Sequence, residues 1–231
     1  MAWPDALSEV SEERCYELYH ENSKIGRRVR PLPLMPLPGT GVWERDGDQY
    51  PLFAIGEADP AVNPLGAAAG RAPGPPQSGR LSIKLLAALL APPASADGDL
   101  IDLFFHVRSV DGLPAGLYRF GVKGAARLIR RGDLGNEIGK MLTAPEAVRV
   151  PLQVVIAGAF ARAAQASGER GYRRALIAAG ARARTIELSA AALGLGLAAT
   201  TEFYDRELDA FLGLDGVDSG ALVLIAVGPA A

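Results

Sequence analysis

Ser78 and Arg80 stand two apart in the run Pro76-Gln77-Ser78-Gly79-Arg80. A hydroxyl and a guanidinium so placed can grip a phosphate, because the planar arginine fork donates paired hydrogen bonds to its oxygens. The same Ser-Gly-Arg also suits a solvated loop, and the motif alone does not choose between the two. Gly194 and Gly196 follow a long Ala-rich segment. Two glycines past a helix permit positive φ and exposed N–H groups that can face a ligand. A helix cap and tight turn is the alternative. His106 lies inside the apolar run Leu103-Phe104-Phe105-His106-Val107, which favours a satisfied core histidine over a catalytic one. Tyr118, Tyr172 and Tyr204 read as core aromatics.

The elements that must hold these residues are legible in outline. Ser11 to Tyr19 reads as a short helix with Ser11 as cap. Residues 30–76 carry ten of the 17 prolines, so long helices are excluded there, yet Leu32, Met35, Trp43 and Phe53 are too apolar for a free linker. This predicts an irregular arm. Ser82 is expected to cap a helix over Ile83 to Leu90. Leu100 to Val110 reads as a strand, Asp111-Gly112 as a turn, and Leu117 to Phe120 and Arg127 to Ile129 as short strands. Leu134 to Leu142 is expected to be helical, Pro151 to Ala159 a buried strand, and Tyr172 to Leu193 the longest helix. Asp205 is expected to cap Arg206 to Leu212, and Ala221 to Gly228 to close the chain as a strand. Helices and strands that do not alternate imply an α+β fold. The expected organisation is an N-terminal helix and Pro-rich arm over 1–76, followed by one domain over 77–231.

Composition removes several classes of function. A formal charge of −2 gives no electrostatic reason to expect nucleic acid or an anionic membrane as partner. One cysteine, Cys15, excludes an internal disulfide or a cysteine zinc cage, and two histidines make a histidine-rich metal site improbable. Asp5, Glu9, Glu12 and Glu13 stand where a signal peptide would be apolar, and Arg182, Arg184 and Glu187 interrupt the longest weakly charged stretch. A soluble cytoplasmic protein is the expectation.

The segment from Gly171-Tyr172-Arg173-Arg174 through Leu193-Gly194-Leu195-Gly196 and Phe203-Tyr204-Asp205 to the final strand resembles the C-terminal half of the nitroreductase superfamily. Within it, the chain is most similar to the streptolysin-type peptide azoline dehydrogenases, which use FMN. Val110-Asp111-Gly112-Leu113-Pro114-Ala115-Gly116-Leu117-Tyr118-Arg119-Phe120 resembles that family's Val-Asp-Gly-Leu-Pro-Pro-Gly-Leu-Tyr-Arg-Tyr hairpin, and Tyr19-His20-Glu21-Asn22-Ser23-Lys24 its opening segment. The resemblance implies a nitroreductase-like α+β sandwich, with a mixed, mostly antiparallel sheet flanked by helices. It also implies FMN at a subunit interface and a homodimer or a heterodimer with a paralogue.

Carried over position by position, the resemblance makes Ser78 and Arg80 the phosphate ligands, places Ser95 of Pro93-Ala94-Ser95-Ala96 in the loop that approaches the flavin, and sets Gly194 and Gly196 at the turn that completes the site. The departures matter as much. Pro76 and Gln77 replace two arginines, and Ala96 replaces a glycine. Ala166-Ser167 stands where the family has a Lys-Tyr pair, so the general acid of that pair is gone. Ala178, Ala181, Arg184 and Thr185 replace the Glu, His, Gln and Asn of the family's Glu-Ala-Gly-His-x-x-Gln-Asn. Two functions are therefore expected in competition. One is an FMN-dependent oxidoreductase acting on azoline-containing modified peptides; the other is a catalytically degenerate subunit that scaffolds a partner or presents substrate to it.

Overall fold

The computed structural model describes residues 49–51, 73–91, 100–121, 124–143, 149–168 and 170–231. The expected helix over 11–19, the opening segment 19–24, most of the Pro-rich arm and the loop holding Ser95 lie outside them.

The described chain is built on a seven-stranded sheet whose neighbouring strands are all antiparallel, ordered β1 (Gln49–Pro51), β6 (Ala125–Arg131), β5 (Gly116–Phe120), β3 (Ile101–Val107), β7 (Leu152–Gly158), β9 (Gly220–Pro229) and β8 (Leu195–Thr200). A small parallel pair, β2 (Leu81–Ser82) with β4 (Val110–Asp111), lies beside it. Side chains alternate faces along a strand, and both faces here are apolar. Leu103, Phe105 and Val107 of β3 enter one core with Val154, Ile156, Ile225 and Val227. That core is closed by helix α1 (Ile83–Leu90) and by α4 (Arg170–Ala192). Phe104, Val155 and Leu224 point to the opposite face, under α2 (Gly135–Met141) and α5 (Asp205–Leu212). The result is the expected α+β sandwich, with a sheet between two helical layers.

Local chemistry sets the element ends. Ser82 caps α1, its Oγ accepting the Leu85 N–H at 3.2 Å. Gly194, at φ +68°, ends α4 in the left-handed region that glycine enters at least cost. Two expectations need correction, and one helix is new. Asp205 is the first residue of α5 rather than its cap: Tyr204 holds the cap position without a side-chain bond, and Asp205 and Glu207 place acids in the first turn, where the helix dipole favours them. Residues 195–200, read as turn and link, form strand β8 on the edge of the main sheet. Helix α3 (Phe160–Ser167) was not expected at all. It folds back on α4 because Gly171 has no Cβ and lets the backbone of Ala163 and Ala164 close in. Phe160 and Tyr172 pack across that joint, ring centroids 5.1 Å apart.

Candidate functional site

Residues 74–80 form a strap around the end of the sheet where β8 begins and β9 finishes. Leu197 N–H donates to Gly74 O at 2.9 Å, and Gln77 N–H to Pro229 O at 2.9 Å. Pro76 bridges Ala230, and Leu81 N–H then reaches Ser109 O at 3.1 Å. Two cross-strand glycines, Gly196 and Gly228, make the crossing possible. A Cβ on Gly196 would lie 2.5 Å from Pro75 O and 2.7 Å from Pro76 Cα, and one on Gly228 would collide with Gln77 O. So Ser78 and Arg80, far in sequence from Gly196, are brought to the same end of the molecule.

Both Ser78 and Arg80 are exposed there. The Arg80 guanidinium donates to Asp111 Oδ1 at 2.8 Å, with side-chain exposures of 71% and 57%. An ion pair this exposed is worth about 0–1 kcal/mol, so it orients Arg80 without committing it. A phosphate would offer the guanidinium two oxygens in place of this single carboxylate contact.

The glycine end of the expected site is different. The room at Gly196 is filled by Pro75 and Pro76 of the strap itself. A Cβ at Gly194 would meet nothing within 4 Å, so its positive φ serves the helix end. Ser95 lies outside the described residues. Ser78 and Arg80 thus offer a hydroxyl and a guanidinium, the chemistry a phosphate takes, at this end of the sheet, and Gly196 supplies packing for the strap that carries them.

Ser167, which stands where the resembled family keeps the tyrosine of its Lys-Tyr pair, and the hairpin tyrosine Tyr118 are both bound into structure. Ser167 Oγ accepts from Arg174 Nη1 at 2.6 Å. Tyr118 OH donates to Pro114 O at 2.7 Å, and its ring stacks on Phe105 with centroids 5.3 Å apart.

His106 is a satisfied core histidine, 1% exposed. Its Nε2 accepts the Leu134 N–H at 2.9 Å, and a backbone N–H can only donate, so the proton is on Nδ1, which donates to Gln153 Oε1 at 3.1 Å. Burial holds its pKa below the ordinary histidine value, against smaller upward pulls from Gln153 and Asp133. Arg182 is a buried cation that sequence reasoning passed over. It is 3% exposed and donates to Leu90 O and Ala91 O, both at 2.7 Å, so it holds the last carbonyls of α1. Burial pushes its pKa down to about 10, which leaves it charged at neutral pH. No group of three or more metal-ligating side chains occurs among the described residues. No described helix is long and apolar enough to cross a membrane.

Residues 86–229, more than half of the chain, match the nitroreductase family, and the chain belongs to that family. No curated protein sequence matches it. Among solved structures, it is similar to a chain of the E. coli microcin synthetase McbBCD complex with truncated pro-MccB17 bound. There the TM-score is 0.63 at 18% identity, covering 100% of this chain and 98% of that one. It is also similar to a nitroreductase-like protein of Anabaena variabilis, with a TM-score of 0.62 at 24% identity over 70% of this chain; the match spans only 36% of the longer Anabaena protein. A third is the NADPH:FMN oxidoreductase of Vibrio harveyi complexed with NAD+, with a TM-score of 0.50 at 15% identity, covering 73% of this chain and 69% of that one. At these identities the likeness is one of fold.

Proposed function

We propose that this chain is an FMN-dependent oxidoreductase of nitroreductase type that acts on azoline-containing modified peptides. The observation that carries the reading is the strap: it presents Ser78 and Arg80, the two residues left of the phosphate motif, at the sheet end beside the start of β8. Family membership and the fold shared with an FMN oxidoreductase support the cofactor. The peptide substrate is supported by the hairpin over Val110 to Phe120 and by the fold shared with a microcin synthetase chain. FMN, when bound, supplies the hydride acceptor. Arg80 and Ser78 hold its phosphate, and Asp111 keeps the guanidinium aimed when the site is empty of anion. Ala166-Ser167 supplies no acid and Ser167 is engaged by Arg174, so proton transfer has to come from another group.

A specific observation favours the second reading, a degenerate subunit that scaffolds or presents substrate. Arg80 already has a protein partner, and the space at Gly196 is taken by the strap. One experiment separates the two. The pure protein is titrated with FMN while flavin absorbance, fluorescence and protein melting temperature are followed. The enzyme reading expects saturable binding that quenches the flavin and raises the melting temperature. A protein whose melting temperature does not move with FMN, and which keeps no flavin colour once free FMN is removed, defeats the enzyme reading and leaves the scaffold.

A further inference from the structure

Helix α2 is only seven residues long, and a helix so short depends on its ends. Two side chains hold its start. His106 Nε2 accepts the Leu134 N–H at 2.9 Å, and Asp133 Oδ1 accepts the Gly135 N–H at 3.0 Å. The Asp133 carboxylate also reaches toward His106, 3.6 Å from Nε2, while its other oxygen accepts from Arg108 Nε at 2.8 Å. The far end of α2 is stitched to residues 202–204, which lead from β8 into α5. Tyr204 N–H donates to Met141 O at 2.7 Å, Thr143 N–H to Glu202 O at 3.2 Å, and Leu142 bridges Phe203. Leu134, Ile138, Leu142 and Phe203 share one core.

We propose that His106 is a proton-operated latch on α2. The neutral imidazole holds the first turn of the helix. Once protonated, it releases Leu134, turns to Asp133, and loosens α2 together with the 202–204 segment. The chemistry follows from atom counts. Nε2 has one lone pair, and Leu134 N–H occupies it. A proton taken from solvent at Nε2 turns that acceptor into a donor facing another donor, so the bond to Leu134 is lost. The nearest acceptor is the carboxylate of Asp133, which must leave or share its bond to Gly135 to receive it.

The other charged groups around the ring are Arg108, which opposes protonation, and Glu137, which favours it and is itself paired with Arg130 of β6 at 2.9 Å. From β7 the ring meets neutral Gln153, whose cross-strand neighbour on β9 is Ala226. Asp133 stays ionised through the relevant range. Burial alone would raise its pKa, but the Gly135 N–H and the Arg108 guanidinium together hold it below the usual value.

The direction with pH is fixed by linkage. His106 is neutral in both folded and unfolded chains above its ordinary pKa of about 6.5 and contributes nothing there. As pH falls below that value the unfolded chain and any opened form take the proton first, so the closed form loses stability until the folded-state value is also passed.

The test is hydrogen–deuterium exchange of the full chain across acid pH, corrected for intrinsic exchange rates, with the His106 imidazole followed by NMR. A His20→Gln variant assigns the two histidines. The expected result is a loss of at least about tenfold in protection at 134–142 and 202–204, tracking the His106 titration while β7 and β9 hold. His106→Gln keeps an acceptor near the Nε2 position without the titration, and should remove the pH dependence. Should that variant not fold, Asp133→Asn decides: it can still cap Gly135, but the loss should move to lower pH because the imidazolium has no carboxylate to turn to. The latch is overturned if His106 titrates with unchanged protection at α2, if the loss persists in His106→Gln, if Asp133→Asn leaves the midpoint in place, or if His106 protonates only on global unfolding.

Discussion

Arg80 and Arg182 show how differently the same side chain is used at the residue scale. Arg80 is exposed, paired with one carboxylate, and free to change partner at little cost. If it holds the FMN phosphate, Arg80→Ala should weaken FMN binding at least tenfold, since a charge-assisted contact is worth about 1.5–3 kcal/mol. Asp111→Asn should do the reverse, raising affinity a few-fold by removing the competing carboxylate. A fluorescence titration of both variants checks this, and equal affinities in the two would discard Arg80 as a ligand. Arg182 has no such freedom, with its bonds going to two backbone carbonyls at the end of α1, one buried and one half-buried. Arg182→Ala leaves those carbonyls unpaired and opens a cavity, so it should cost about 2–4 kcal/mol, seen as a lower midpoint in urea at unchanged slope. Arg182→Lys should recover part of that loss. Residue types in the sequence could place His106 in the core, because its neighbours in the run are apolar. They could not name its partners: Gln153 is 47 positions away, and Leu134 contributes only backbone. Arg182 was legible as a charge in an Ala-rich helix, but which face it occupies is decided by α1, about ninety positions earlier.

At the scale of elements, legibility followed how completely a segment is buried and how well its residues suit one state. β3, β7 and β9 are near-continuous runs of Leu, Ile, Val and Phe, because helices cover both faces of the sheet, and each was readable as a strand. β8 was not. Leu-Gly-Leu-Ala-Ala-Thr has two small residues and a glycine where β-branched ones would signal a strand, and what makes it one is pairing along β9. α3 was missed because no side chain caps it and its docking depends on the later Gly171. Gly194 and Gly196 were read together, as a ligand-facing turn or as a helix cap and tight turn, but they do separate work. Gly194→Ala should cost about 1 kcal/mol of global stability, the usual price of a positive φ without glycine, and leave the strap in place. Gly196→Ala should instead push Pro75 and Pro76 off the sheet end, because the new methyl meets backbone rather than a side chain that could swing away. Its signature is faster amide exchange at 77–81 and weaker FMN binding, disproportionate to any fall in melting temperature. If the two alanines behave alike, the strap is not seated by Gly196.

For the whole molecule, the question is what covers α4. Its inner face is buried under α1 and against the sheet through Ala179, Ile186 and Ala190, and against α3 through Ala175. Its outer face carries Ile177, 71% exposed, with Gly180 and Ala181 also exposed one turn on. A large aliphatic beside small residues lets a second helix come close, since there is little side chain to hold the backbones apart. Arg173 and Arg184 flank the patch and keep it soluble when uncovered. The sequence shows a helix rich in alanine, and the structure adds which of its alanines are already used inside. We therefore expect a dimer with α4 at its centre, formed with a second copy or with a paralogue. Light scattering at micromolar concentration should give twice the 24.2 kDa chain mass if the partner is a second copy. Ile177→Asp should then shift the mass to one chain while leaving the far-UV circular dichroism intact, because the residue contributes almost nothing to the monomer's own core. A wild-type monomer that gains no mass when mixed with a nitroreductase-family partner would leave α4 a solvent-facing helix, and an Ile177→Asp variant that stays dimeric would move the interface to another face.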